Sequence, residues 1–336
     1  MKVNIKDVAQ AAGVAQSTVS RVMNKSGYVS KETYHKVMKA MDELGYSPSA
    51  LAVSFSKSQT RIIGFIVPNI GISFFGKLLF AVDKLATQNN YRMILCNSDD
   101  NPEKERRAIM DLLSYKVGGI LIVPVENSPN ADLINRIHTS GTPVICIDKE
   151  MPGAQCDTIH INNENGAQEM TRFALQKGHR DMAFLIYDSH ASVTASYIRG
   201  IKNAYRANHL DPSQARIFTG TQIDSCSDFI RMQYLSPKGP SAILSFSSDF
   251  TVICYHELVT LQARIGQDID LIGYDNMKIL ESYGYRVQQS PGTEDMGILA
   301  IRMLLNRIEN PGECLPSQYV TLPASVKISY THPERS

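Results

Sequence analysis

Five polar side chains fall within six positions near the start of the chain: Gln16, Ser17, Thr18, Ser20 and Arg21. Their chemistry matches a DNA major groove, where an arginine fork meets guanine and a carboxamide meets adenine. Short hydroxyls suit phosphate oxygens, which hold register without reading sequence. A second set lies far along the chain. Asp148 closes the apolar run TPVICID, Ser248 and Asp249 close SAILSFSSD, and Asp275 closes LIGYDN. Phe74 and Phe75 follow the first such run. Acceptors beside aromatic faces suit a polyol or a purine, because buried hydroxyls need hydrogen-bond partners and rings need an apolar plate.

Other chemistries lack their residues. There is no GxGxxG after a strand, no GxxxxGK[ST], no GxSxG and no HExxH. The eight histidines show no ligand spacing, so neither a metal nor a cofactor is expected. His179, in QKGHRD, reads as a turn residue before a strand, and His160 as a core or cleft residue. The six cysteines form no CxxC and read as small buried apolar residues in a reducing compartment. The chain opens with charges where a leader's apolar stretch would begin, and its apolar runs are short of the ~18 residues of a spanning helix. A cytoplasmic protein without a membrane partner is the expectation.

The first set sits in a basic head. Residues 1–60 hold eight Lys/Arg and four Asp/Glu, whereas the whole chain is only +1. A basic head on a faintly acidic body suits a polyanion partner. Ile5, Val8, Ala9 and Ala12 recur at helical spacing and predict a first helix, which Gly13 breaks. A second is predicted from Gln16 to Asn24, with Val19, Val22 and Met23 inward. A third covers Lys31–Leu44, with Gly45 as its stop. Two short helices joined by a glycine turn make a helix-turn-helix, and the second leaves Gln16, Ser17, Thr18, Ser20 and Arg21 outward.

The runs IKDVAQAAGVAQSTVSRVMN and VSKETYHKVMKAMDELGYSPSALA give this head a specific likeness. Residues 4–57 resemble, nearly without gaps, the DNA-binding head of the LacI/GalR repressor family. The resemblance implies base reading by Gln16, Ser17 and Arg21, and phosphate contact by Thr18, Ser20 and Asn24. It also implies a hinge helix over residues 48–60, including Ser49 and Ala52. That segment is too short to be a stable helix alone in water, so it should form against its symmetry mate on DNA. The family's minor-groove leucine is Phe55 here, and a usual arginine is Val53. Apolar wedges at such steps bend DNA onto more protein surface, so Phe55 alters the preferred central step.

From Arg61 the pattern changes to apolar runs alternating with amphipathic stretches. Strands are predicted over 61–69, 91–99, 118–125, 142–148, 180–188, 215–220, 241–247 and 268–276, within a total of about ten. Helices fall between them, among them Ser73–Asn90 and Pro102–Lys116, the latter opened by Asn101 and Pro102. This beat predicts an α/β body of doubly wound parallel sheets. It is similar to the family's two-lobed, periplasmic-binding-protein-like body. The resemblance implies a head over 1–47, a hinge over 48–60 and a body over 61–332. Lobe 1 would take about 61–161 plus 291–322, and lobe 2 about 162–290 plus 323–332.

Ligands of such sheets bind beyond the C-terminal strand ends. The expected effector-binding residues are therefore Phe74, Phe75, Asp148, Ser248, Asp249 and Asp275, and the resemblance adds Tyr197, Gln222 and Gln289. Several depart from sugar-responsive relatives. Tyr197 occupies the slot of an arginine, with Arg199 expected to face elsewhere; Ser248 stands for an asparagine and Gln222 for a stacking aromatic. Gln288 and Gln289 compete for one position. The implied protein is a homodimeric regulator, a repressor, that binds double-stranded operator DNA under control of a small-molecule effector. Its dimer should use the helices Phe74–Leu85 and Met296–Ile308. A protein corepressor acting on a vestigial cleft is a second reading, and an α/β enzyme with a fused DNA head a third, for which no catalytic dyad is found.

Overall fold

The computed structural model describes residues 3–24, 27–46, 60–188, 191–274, 285–290, 292–311 and 316–330. The chain divides into a unit over Met1–Thr60 and a unit over Arg61–Ser336.

The first unit holds α1 (Ile5–Ala12), α2 (Gln16–Asn24) and α3 (Lys31–Glu43). Asn4 accepts from the Lys6 amide, and Asp7 accepts from the Asn4 amide, which satisfies two donors at the start of α1. Gly13 ends α1 in the left-handed region at φ 66°, a conformation that carries little cost without a Cβ. Ser30 caps α3 through the Thr33 amide. Val8, Ala9, Val19, Val22, Val37, Ala40 and Met41 form the buried core.

The second unit contains two sheets. The first has the order β11-β5-β4-β3-β1-β2. Its strands are β1 (Ile62–Val67), β2 (Arg92–Asn97), β3 (Gly119–Ile122), β4 (Val144–Ile147), β5 (Asp157–Ile161) and β11 (Tyr319–Leu322), all parallel. The second has the order β12-β10-β9-β8-β6-β7. It comprises β6 (Met182–Tyr187), β7 (Arg216–Gly220), β8 (Ala242–Ser245), β9 (Asp270–Tyr274), β10 (Tyr285–Ser290) and β12 (Ser325–Tyr330). The chain passes between sheets at 161–163, 290–293 and 322–325.

Both faces of each sheet are covered, which is why the central strands are continuous apolar runs. In lobe 1, α4 (Ser73–Gln88) and α11 (Thr293–Glu309) cover one face. The other carries α5 (Pro102–Ser114) and α6 (Ala131–Thr139). In lobe 2, α7 (Asn163–Gln176) and α8 (Ala191–Ala207) oppose α9 (Ile223–Tyr234) and α10 (Ser248–Thr260). Arg307 of α11 grips Asp157 of β5 through two bonds of 2.8 and 2.9 Å, which ties the returning helix to lobe 1.

Two expectations need correction. The second sheet is not wholly parallel, because β12 runs antiparallel to β10. Only Pro323 and Ala324 separate β11 from β12, so the chain enters the second sheet directly from the edge strand of the first. There are twelve strands among the described residues rather than about ten, since β10 and β12 are at least half polar and β11 is only four residues long, so none carries an apolar run to announce it.

Candidate functional site

Helical geometry sorts α2 into two faces. Val19 and Val22 are buried, while Gln16, Ser17 and Arg21 are exposed on the other side. Thr18 and Ser20 are half-buried at the flanks, and Asn24 ends the helix with a side chain outside the described residues. The Arg21 stem runs beside Gly27, whose φ of 72° reverses the chain. Tyr28, which follows, is 92% exposed, and sequence reasoning passed it over. Ser49, Ala52 and Phe55 lie outside the described residues.

In the body, the loops after β3 and β4 form one wall of a cleft. Glu126, Asn127, Asp148 and Lys149 from lobe 1 face Ser192, Ser196 and Arg199 from lobe 2 across a cavity of about 460 Å³. Asp148 takes the left-handed conformation at φ 72° and donates its amide to the Ile159 carbonyl at 2.7 Å. Burial raises its carboxyl to about 6, against the pull of Lys149 and with the push of Glu126. Burial also lowers the Lys149 ammonium to about 8, although Asp148, Glu126, Asp100 and Glu105 all favour its charge. Asp100 is raised as well, again chiefly by desolvation. Four carboxylates thus act on one ammonium.

The lobes also meet directly. Ser192 donates to Glu126 at 3.2 Å, and the Ser73 hydroxyl at the start of α4 donates to Asp249 at the start of α10. Ser248 is buried beside it.

Other expected residues are placed differently. Phe75 is only 2% exposed and belongs to the lobe 1 core, a correction: helix α4 turns that ring inward. Phe74 is half-buried with its ring edge-on to Phe75 at 5.1 Å. Tyr197 leans on Phe246 at 5.0 Å rather than standing in for an arginine. Arg199 is a second correction, for it lines the cavity and pairs with Glu164 at 2.9 Å. Gln222 is exposed ahead of α9. Gln289 lies on β10 opposite Val326, its side chain outside the described residues, as is Asp275 altogether.

Glu105 was missed. It is fully buried and accepts from the Val125 amide at 2.6 Å, from Asn130 Nδ2 at 2.8 Å and from the Ser128 hydroxyl. Those donors pin the loop that carries Glu126. A glutamate within PEKERR reads as solvated, and no local signal marks its partners.

His179 is more than a turn residue. Its Nδ1 lies 2.9 Å from Ser241 Oγ and its Nε2 3.0 Å from Asp270. The constellation resembles a hydrolytic triad in outline. An acyl-transfer site also needs backbone donors beside the nucleophile. Here the Ser241 amide donates to Asp181 and the Asp270 amide to Ser241, both within the sheet. The three side chains tie together the starts of β6, β8 and β9.

The comparisons with known proteins agree with this geometry. Residues 4–49 match the model of bacterial regulatory proteins of the lacI family, and residues 60–329 match that of periplasmic binding proteins and sugar binding domains of the LacI family. The chain belongs to the LacI family. The HTH-type transcriptional repressor PurR of Vibrio campbellii is 31% identical over 83% of this chain and 84% of its own length. Catabolite control protein A of Staphylococcus xylosus is 29% identical over 94% and 97%. The lac repressor dimer bound to operator and the anti-inducer ONPF shares the fold with a TM-score of 0.83 at 22% identity, over 98% and 99% of the two chains. As a LacI-family member the protein is a DNA-binding transcriptional regulator with an effector-binding body. No helix among its described residues is long and apolar enough to cross a membrane.

Proposed function

We propose that this LacI-family regulator acts as a homodimer on a pseudo-palindromic operator, reading bases with Gln16, Ser17 and Arg21. Its effector is an uncharged or amine-bearing polyhydroxylated molecule, not a phosphorylated one. The observation that carries the choice is the cleft lining, where Glu126, Asp148 and Glu150 stand with Lys149. A phosphate there would meet three carboxylates for one ammonium, and like charges at close range cost several kcal/mol. Hydroxyls and ammonium groups instead satisfy carboxylate acceptors. Arg199 is engaged by Glu164 and so offers a phosphate less than its charge implies. Exposed Phe80 on α4, Ile223 on α9 and Val259 on α10 support the dimer. The expected use of Met296–Ile308 does not, because that stripe is spent on the lobe 1 core.

The test is thermal melting of the full chain against sugars, amino sugars, sugar phosphates, nucleosides and purines. A ligand at a hundred times its Kd adds ~2.7 kcal/mol. A shift with a neutral or amine-bearing polyol supports the reading. A shift confined to sugar phosphates refutes it. Silence across the panel favours control by a protein corepressor.

A further inference from the structure

We propose that Cys146 and Cys156 form a reversible disulfide under a hydroperoxide, and that this bond locks the lobe 1 wall of the cleft. The two sulfurs lie 3.2 Å apart. Cys146 on β4 pairs with Thr158 of the neighbouring parallel strand β5, and Cys156 lies two residues before that partner, so its side chain falls on the same face and reaches Cys146 diagonally. The residues between them include Asp148, Lys149, Glu150 and Pro152, all of which line the cavity. A bond would close that loop at its base.

The roles of the two thiols differ. Cys146 is wholly buried, whereas Cys156 keeps 8% of its surface beside the exposed residues Pro152, Gly153 and Gln155. The two thiols share one contact in which either sulfur can donate, and with Cys146 as the donor the Cys156 pKa is lowered and that of Cys146 raised. Reactivity follows the thiolate. The Cys156 thiolate attacks the peroxide O–O bond, taking one oxygen as a sulfenic acid and releasing an alcohol or water. The Cys146 thiol then attacks that sulfur, the S–S bond forms and water leaves. Two thiols lose two electrons and two protons, and one hydroperoxide is reduced.

A disulfide needs sulfurs ~2.05 Å apart. The pair must therefore close by about 1 Å at a point two residues from Asp148. Binding sites tolerate about half of that. The bond itself is independent of the effector reading, and only its consequence for ligand rests on it.

The experiment treats the full chain with hydrogen peroxide, alkylates it and maps its peptides. The expected result is one linked peptide joining Cys146 to Cys156, loss of two of the six thiols, and reversal by dithiothreitol. Amide hydrogen exchange over residues 148–155 should slow roughly tenfold in the oxidised form. Cys156→Ser should keep its remaining thiols and the unoxidised exchange rate, whereas Cys146→Ala should stop at a dimedone-reactive sulfenic acid on Cys156, with no linked peptide and no slowing of exchange. Oxidation of other cysteines with this pair intact, or a bond that leaves exchange over 148–155 unchanged, overturns the proposal. A failed effector panel would leave both readouts standing, so the two readings fail separately.

Discussion

At Asp148, burial sets a cost in stability against the effector contact proposed for it. Burial lifts its carboxyl from 3.8 to about 6. A raised carboxyl binds its proton more tightly when folded, so its contribution to stability is whole below about pH 4 and is lost as pH rises through about 6. At pH 7.5 the ionised group opposes the fold. Asp148→Asn should raise stability there by ~1–2 kcal/mol. The gain should shrink as pH falls below about 6 and approach zero only below about pH 4, as melting curves across that range would show. Effector response should fall in the same variant. At the other end of the chain, Arg21→Ala should cost ~1–3 kcal/mol against the cognate operator and little on random DNA. Titrations on both DNAs check this, and equal losses would assign Arg21 to phosphate contact instead.

At the scale of elements, close approach decides which glycines are needed. A Cβ on Gly200 of α8 would stand 2.1 Å from the Glu164 carbonyl and 3.0 Å from the Gln168 amide, both backbone atoms of α7. Backbone cannot rotate away, so Gly200→Ala should force the helices apart and cost at least ~1–3 kcal/mol. Gly76 of α4 is the opposite case. It is exposed, and a Cβ there meets nothing within 4 Å. Gly76→Ala should stabilise by ~0.5–1 kcal/mol through helix propensity. Denaturant melts of the two variants should therefore move in opposite directions. The same distances explain the tight pairing of α7 with α8, which positions Ser192, Ser196 and Arg199 on the lobe 2 side of the cleft.

For the whole molecule, the question is how an effector cleft governs a DNA-binding head. Allosteric coupling is a free energy between sites, typically ~1–3 kcal/mol. The contacts Ser73–Asp249 and Ser192–Glu126 already join the lobes without a ligand. An effector that draws on Glu126 or its neighbours competes with them, which gives it a differential interaction with the two arrangements. Assembly is tested separately. Val259 of α10 is 51% exposed and Ile223 of α9 60% exposed. Charged substitutions there should leave monomer melting nearly unchanged, since neither side chain belongs to the core. Val259→Glu with Ile223→Glu should shift the sedimentation of the full chain from dimer toward monomer and weaken operator binding with it.

Much of this was legible in the residues alone. The stripe Ile5, Val8, Ala9 and Ala12, the glycine at 13 and the polar face of α2 are local patterns, and helical periodicity reads them directly. The apolar runs of β1, β3, β4, β6 and β8 announce buried parallel strands for the same reason. What periodicity cannot register is which distant groups meet. Glu105 finds its donors 20 to 25 residues away, and Arg307 reaches Asp157 across 150. Arg199 points into the cleft, and Phe75 away from it, because of how whole helices dock. The antiparallel pairing of β12 with β10 and the meeting of Cys146 with Cys156 are likewise set by how whole elements dock. Local sequence determined the elements and the kind of groups they carry. Only the packing of remote elements decided which of those groups share a site, because burial, pairing and charge environment are properties of neighbours in space.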